Sequence, residues 1–193
     1  KNAIVYSRTI DNKGVQTTMP INVDRSSYAQ ISAQVSKQIK FSQDWKFTTG
    51  LTLWATFNRN QVLLNDLKGV VNNWWLIPRF NVSFNWKDIF EVRQDLGIDA
   101  RKSTYSDNLF PSIKVVPFNS SSELIIRWPK HWVWETNLDY RYNPQVVPGI
   151  QEKTVKWNAG VNFLFLKEDK GQLKLSVNDL LNQNNQAYSI ISE

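Results

Sequence analysis

Residues 74–86 read WWLIPRFNVSFNW, and the spacing of apolar residues in this stretch gives the clearest indication of the fold. Its even-numbered positions are all apolar and begin and end with Trp74 and Trp86, whereas the odd-numbered positions from Arg79 onward are polar. A period of two is the signature of a β-strand with one apolar and one polar face. Soluble strands usually have about five or six residues. A strand as long as this one, tilted by about 40°, rises about 30 Å. The stretch therefore predicts a strand that crosses a membrane, with Trp at both interfaces.

The composition is compatible with this interpretation but does not establish it. The chain has 193 residues, of which 41% are hydrophobic, and it contains nine Trp and no Cys. No run of about 18 apolar residues is present, so a transmembrane helix is not predicted. The absence of Cys excludes disulfides and thiolate metal sites. The net charge of +6 comes from Lys and Arg interspersed with Asp and Glu. Since nucleic-acid binders usually cluster their basic residues, we expect no nucleic-acid partner.

The same alternation recurs along the chain and is separated by connections of two lengths. It predicts nine strands, at 3–10, 27–39, 45–58, 74–86, 89–102, 118–128, 132–142, 154–166 and 172–178. Long connections are predicted at 11–26, 59–73, 103–117 and 143–153, and short ones at 40–44, 87–88, 129–131 and 167–171. Outer-membrane barrels combine short periplasmic turns with longer extracellular loops. We therefore expect an all-β fold, an antiparallel up-and-down meander forming part of a transmembrane outer-membrane β-barrel.

Aromatic residues lie close to both ends of these strands. The predicted aromatic girdle consists of Trp45, Trp86, Trp128 and Trp132 beside short connections and Trp74 and Trp157 beside long ones. Interfacial aromatic girdles are typical of membrane barrels. The alternative is that these are core aromatics of a soluble β-sandwich, although a sandwich gathers its aromatics centrally. Pro78 lacks a backbone N–H, so we expect a bulge or a locally broken ladder there.

The polar face carries charges of both signs, which are predicted to face the barrel lumen. The candidates are Arg79, Arg93, Asp95, Asp99, Arg101, Arg127, Glu135, Asp139 and Arg141. One interpretation is a salt-bridged, hydrated wall that holds a plug, and the other is that a subset contacts substrate. Trp54 does not fit the alternation of its strand.

Catalytic chemistry has little support in the sequence. His131 is the single His, and it lies in a predicted turn. Without a second His or any Cys, we find neither a His/Cys metal cluster nor a His-based triad. We therefore expect no catalytic residue, no metal and no cofactor, and the chain is predicted not to be an enzyme.

Two stretches resemble a known family. QTTMPINVD at 16–24 and FLKEDKGQLKLSVNDLLNQN at 165–184 are similar to the C-terminal barrel region of the TonB-dependent-receptor-like outer membrane β-barrel family of Gram-negative bacteria. The resemblance implies a barrel in the cell outer membrane that takes up a substrate with energy from TonB. Its implied partners are outer-membrane lipid, the TonB system acting through the N-terminal part, and a surface lipoprotein. On this resemblance, residues 1–193 are expected to be a C-terminal portion without plug, early strands or closing strand.

Two other functions are compatible with the sequence. The first is a soluble all-β glycan-binding module, in which an exposed Trp such as Trp75 stacks on sugars. The second is a structural or secretion-partner barrel without transport. If the membrane interpretation holds, the Asn-rich residues after Asp179 are expected to form an extracellular loop.

Overall fold

A computed structural model describes residues 3–23, 26–65, 67–106, 111–144 and 151–183. In this part of the chain, all regular structure is β apart from one 3₁₀ turn at Lys167–Asp169. The strands are β1 (Ala3–Ile10), β2 (Gln16–Val23), β3 (Ser27–Lys40), β4 (Trp45–Leu64), β5 (Leu67–Trp86), β6 (Phe90–Ile98), β7 (Ala100–Tyr105), β8 (Ile113–Val115), β9 (Phe118–Ile126), β10 (Trp132–Tyr142), β11 (Lys153–Phe165) and β12 (Gly171–Val177). Among the described residues, no helix is both long and apolar enough to cross a membrane.

The strands form one sheet, in which neighbours in space are mostly neighbours along the chain. The order is β12-β11-β10-β9-β6-β5-β4-β1-β2, with β3 on β4 and with β7 on β5 and β8. From β9 to β12 each strand pairs with the next in antiparallel register, as β5 does with β6. The predicted all-β fold and up-and-down meander are confirmed. An exception is β1, which touches β4 through a parallel bridge between Arg8 and Leu64.

Two compact units divide the chain. The first unit comprises Lys1–Ser32, Trp54–Ile77 and Asp99–Val116, and the second unit comprises Ala33–Leu53, Pro78–Ile98 and Pro117–Glu193. Strands β3, β4 and β5 contribute residues to both units. Each unit is described separately below.

The predicted long connection at 59–73 is wrong. Strand β4 continues to Leu64 and β5 begins at Leu67, so the two strands extend into a hairpin. Residues 59–73 are called the hairpin extension below. Asn65 has a φ of 46°, in the left-handed region that Asn tolerates in tight turns. The period of two is lost here because apolar residues are adjacent, as in VLL at 62–64 and VV at 70–71. These residues are nevertheless strong strand formers.

Other predicted boundaries also change. The connection at 11–26 contains β2, and the connection at 103–117 contains the end of β7 and all of β8. The single strand expected at 89–102 is divided into β6 and β7 at Asp99. The four short connections are found close to their predicted positions. Parts of the predicted loops, at 107–110, 145–150 and 184–193, lie outside the described residues.

Pro78 interrupts the ladder as expected. Strand β5 pairs with β6 from Arg79 to Trp86 and with β7 from Val71 to Leu76. The register is the same in both ladders, so the interruption contains no bulge. Pairing lapses over two residues of β5, where Pro78 has no N–H to donate.

The second unit has an unusual distribution of polarity. Asn162 on β11 is only 2% exposed, whereas Phe80 on β5 is 43% exposed and Leu175 on β12 is 68% exposed. A soluble domain buries its large apolar side chains and exposes its amides. The sheet of this unit therefore presents its apolar face outward.

The first unit also contains apolar side chains that are buried. Val23, Leu63, Val71 and Val115 are each less than 9% exposed. Asn65 at the hairpin tip is held against β1, since its N–H donates to Arg8 O at 3.0 Å and its Oδ1 accepts from Ile10 N at 2.8 Å. The hairpin extension is thus packed like part of a soluble protein.

Candidate functional site

The polar face of the first unit carries two Trp side chains that touch each other. Trp54 comes from β4 and Trp75 from β5. Their ring centroids are 5.1 Å apart and their planes meet at 81°, an edge-to-face arrangement. Such pairs contribute about 0.5–1.5 kcal/mol beyond the area that they bury. Trp54 breaks the alternation of β4 because it belongs to this pair.

Asp99 and Arg101 hold Trp75 in place. The Arg101 guanidinium lies 4.4 Å from the centroid of the Trp75 ring. Arg101 donates to both carboxylate oxygens of Asp99, from Nε at 2.8 Å and from Nη2 at 2.7 Å. The indole N–H of Trp75 donates to the same carboxylate. A bidentate ion pair fixes the plane of the guanidinium, so the ring, the cation and the carboxylate form one rigid group.

Polar side chains complete a cavity of about 400 Å³ beside the two rings. Ser103 Oγ donates to Asn73 Oδ1 at 2.7 Å. The Oδ1 atom of Asn58, which also lines the cavity, is buried and accepts no hydrogen bond within the described part of the chain. A buried acceptor without a partner is costly unless a donor reaches it. The cavity therefore combines aromatic surface with a hydrogen-bonding group suited to a ligand donor.

The polar face of the second unit carries a network of ion pairs. Arg93 pairs with Glu91 at 2.7 Å and with Glu123 at 3.3 Å. Arg127 approaches Glu91 at 3.5 Å, and Lys174 pairs with Glu135 at 2.9 Å. The Arg93–Glu91 pair lies within β6, the Arg93–Glu123 pair joins β6 to β9, and the Lys174–Glu135 pair spans β11. These contacts correspond to the first interpretation of the charges, a salt-bridged wall.

Neutral polar groups continue this wall. Ser121 Oγ donates to Asp139 Oδ1 at 2.6 Å and accepts from Asn137 Nδ2 at 3.1 Å. Gln172 Nε2 donates to the buried Asn162 Oδ1 at 2.9 Å. Since these groups satisfy one another across strands, they fix the register of the polar face.

The predicted polar-face residues therefore fall into three groups. Asp99 and Arg101 belong to the aromatic cluster, and the second-unit network contains Arg93, Arg127, Glu135 and Asp139. Arg79, Asp95 and Arg141 are exposed and make no ion pair within the described ranges. Sequence reasoning did not assemble the cluster, although Trp54 and Trp75 were noticed separately. The missed signal was two Trp residues on a face that is otherwise polar.

The family comparison matches residues 56–193 to the outer membrane protein beta-barrel family. The match covers well over half of the chain. The chain belongs to this family. No curated protein and no solved structure matches it.

Membership of the outer membrane barrel family confirms the outer-membrane location and accounts for the exposed apolar face. It also argues against the soluble glycan-binding module. Outer-membrane barrels present an apolar band to lipid. In this barrel the predicted girdle residues are all at least 36% exposed, and Trp157 is anchored by donating from Nε1 to Thr136 Oγ1 at 2.7 Å.

The positions of the girdle residues differ in one respect from the prediction. Trp45 and Trp132 begin strands, Trp86 ends one, and Trp128 lies in a short connection. Trp74 lies well inside β5, because that strand extends back to Leu67.

Proposed function

We propose that the protein is the barrel of a TonB-dependent-type transporter that takes up a substrate across the outer membrane. In this proposal the polar face lines the lumen, the apolar face contacts lipid, and the six Trp residues mark the two interfaces. The observation that carries the proposal is the cluster of Trp54, Trp75, Asp99 and Arg101, because a barrel that only spans the membrane has no need of it.

The side chains around the cavity indicate the kind of substrate. Indole rings offer flat apolar surfaces, and Asn58 and Ser103 offer polar atoms at the same site. The Arg101 charge is already neutralised by Asp99. A substrate with an apolar ring face and several hydroxyl groups, such as a carbohydrate, therefore suits the cavity better than a strongly anionic one.

The energy source and the partners belong to the same proposal. The resemblance of residues 165–184 to TonB-dependent receptors supports coupling to the TonB system, and a surface lipoprotein is proposed as a partner that delivers substrate. Uptake requires binding and release but no covalent step. Within the described residues, no group of three or more His, Asp or Glu side chains could hold a metal ion.

Growth on single carbohydrates tests the proposal in cells. We expect cells without this protein, or without TonB, to lose growth on at least one oligosaccharide. Trp75→Ala should raise the concentration for half-maximal growth about tenfold, equivalent to roughly 1.4 kcal/mol. The control is Trp134→Ala, which removes an exposed Trp from the apolar face.

Two results would contradict the proposal in different ways. If Trp75→Ala has no effect at equal amounts of folded protein, the cluster is not the substrate site. If removal of the protein leaves every uptake unchanged but prevents assembly of a surface structure, the structural or secretion-partner barrel is correct.

A further inference from the structure

The apolar face of the first unit contains a groove, whose lining also includes Trp75 and Arg101 of the aromatic cluster. Its volume is about 490 Å³. The small side chains of Ala29, Ala55 and Ala100 leave room beside the rings of Phe57 and Trp74, whose centroids are 4.4 Å apart. Trp74 is 56% exposed, so the groove opens outward. Its shape and lining suit a hydrocarbon chain.

Two lysines lie at the edge of this groove. Lys102 on β7 and Lys114 on β8 are directly opposite each other in antiparallel register, and both line the groove. Directly opposed residues have Cβ atoms about 4.5–5.5 Å apart, and two like charges at that spacing are destabilising. Both side chains are exposed, and neither has a carboxylate within ion-pair distance in the described part of the chain. The pair is therefore suited to an anion that is not part of the described chain.

The depth of the two lysines relative to the membrane indicates which anion they bind. Lys102 is directly opposite Trp74 in the ladder between β5 and β7. In the girdle assignment Trp74 marks an interface, which is the depth at which lipid headgroups lie. Basic side chains at that depth bind the phosphates of lipid headgroups. The apolar groove and the two lysines at its edge thus match the hydrocarbon chain and the phosphate of a single lipid.

We infer that this groove binds one membrane lipid, with its phosphate-bearing headgroup on Lys102 and Lys114 and an acyl chain against Phe57 and Trp74. The inference rests on the proposed orientation of the apolar face toward lipid, but it does not depend on transport or on the aromatic cluster.

Native mass spectrometry of the intact protein, purified in detergent, tests this site. Dioleoyl phosphatidic acid and dioleoylglycerol have identical chains and differ only in the phosphate. We expect the phosphate-bearing lipid to be retained about tenfold more strongly, because the phosphate contributes charge-assisted hydrogen bonds. Equal retention of the two lipids by the unsubstituted protein overturns the inference without any variant.

Substitutions then locate the site. Lys102→Gln with Lys114→Gln should abolish the tenfold preference, whereas Lys102→Arg with Lys114→Arg should keep it. The control is Lys37→Gln with Lys40→Gln, which removes the same charge from two exposed lysines at the other end of β3. An unchanged preference in the Gln variant, or its loss in the control, overturns the assignment.

Two further measurements distinguish the proposed lipid site from other causes of lipid retention. Millimolar inorganic phosphate should not displace the lipid, and displacement by phosphate alone would show an ion site instead of a lipid site. Trp54→Ala, at a residue of the aromatic cluster that does not line the groove, should leave lipid retention unchanged, so loss of uptake and loss of lipid are independent results.

Discussion

Two regions of β5 differ in the surroundings of their apolar side chains. In its C-terminal part, Leu76 and Phe80 are 44% and 43% exposed, whereas near its start Val71 is only 7% exposed. All three belong to one continuous strand with one register along its partners. Apolar residues alone therefore do not reveal where a membrane begins. The change from exposed to buried apolar side chains indicates where the membrane begins. An exposed apolar side chain of a barrel is surrounded by lipid, whereas a buried one is surrounded by protein.

Val71 belongs to the hairpin extension, residues 59–73, in which Leu63 is also buried whereas Leu67 beside the turn is 57% exposed. Leu63 continues the apolar face of β4, whereas Val71 lies on the face that carries Trp75 and Arg79. Both are buried, so each face of the hairpin extension is covered at these positions. Apolar side chains that lie outside the membrane must be covered by protein instead of lipid. Strand β1 provides part of this cover, since it is hydrogen-bonded to Asn65.

Labelling from outside the cell gives the largest expected difference between the two ends. The chain contains no Cys, so a single introduced Cys is unambiguous. We expect Lys68→Cys to react with a membrane-impermeant maleimide on intact cells and Phe80→Cys to stay unlabelled. Labelling of both positions to the same extent would show that β5 does not consist of a water-accessible region and a lipid-covered region.

The next largest effect comes from a charge on the exposed apolar face. Phe80→Arg should lower the free energy of unfolding by about 2–4 kcal/mol, because it places a cation near the middle of the bilayer. Asn81→Arg is the matched control on the polar face, where the Asn81 side chain is exposed. It should change stability by no more than about 0.5 kcal/mol. Urea titration of the intact protein in lipid vesicles measures both, and equal costs would mean that the faces are misassigned.

A pair of leucines compares the two surroundings without adding charge. Leu63→Ala removes a side chain that is 7% exposed and leaves a cavity in packed protein, so it should cost at least about 2 kcal/mol. Leu76→Ala removes an exposed side chain, and lipid can fill the space, so the cavity contribution disappears and the cost should be about 1 kcal/mol lower. The same urea titration applies. A larger loss at Leu76 would contradict lipid as its surroundings.

The sequence predicted the parts of this fold in which one face is apolar and the other is not. The class, the meander and the short turns follow from a period of two, and the gap at Pro78 follows from its missing N–H. The hairpin extension could not be predicted this way, because a strand covered on both sides has no alternation to detect. The aromatic cluster was missed for a related reason. Trp54 and Trp75 are apolar residues on a polar face, and only the register brings them together with Asp99.

The smallest predicted effect tests how wet the polar face of the second unit is. Lys174 and Glu135 form an ion pair at 2.9 Å, and their side chains are 49% and 39% exposed. In a hydrated lumen such a pair contributes about 0–1 kcal/mol, since water screens it and solvates either partner alone. In a dry, packed interior, removing one partner costs about 3–5 kcal/mol because a charge is left unpaired.

A double-mutant cycle with Lys174→Gln and Glu135→Gln separates these cases. We expect each single substitution and the coupling energy to stay below about 1 kcal/mol. The coupling should also fall as salt is raised from 0.05 M to 0.5 M, because the Debye length shortens severalfold over that range, from about 14 Å to about 4 Å. A coupling of several kcal/mol that salt does not change would mean that the polar face is sealed from water. The proposed lumen would then be a closed core, and substrate could not pass along it.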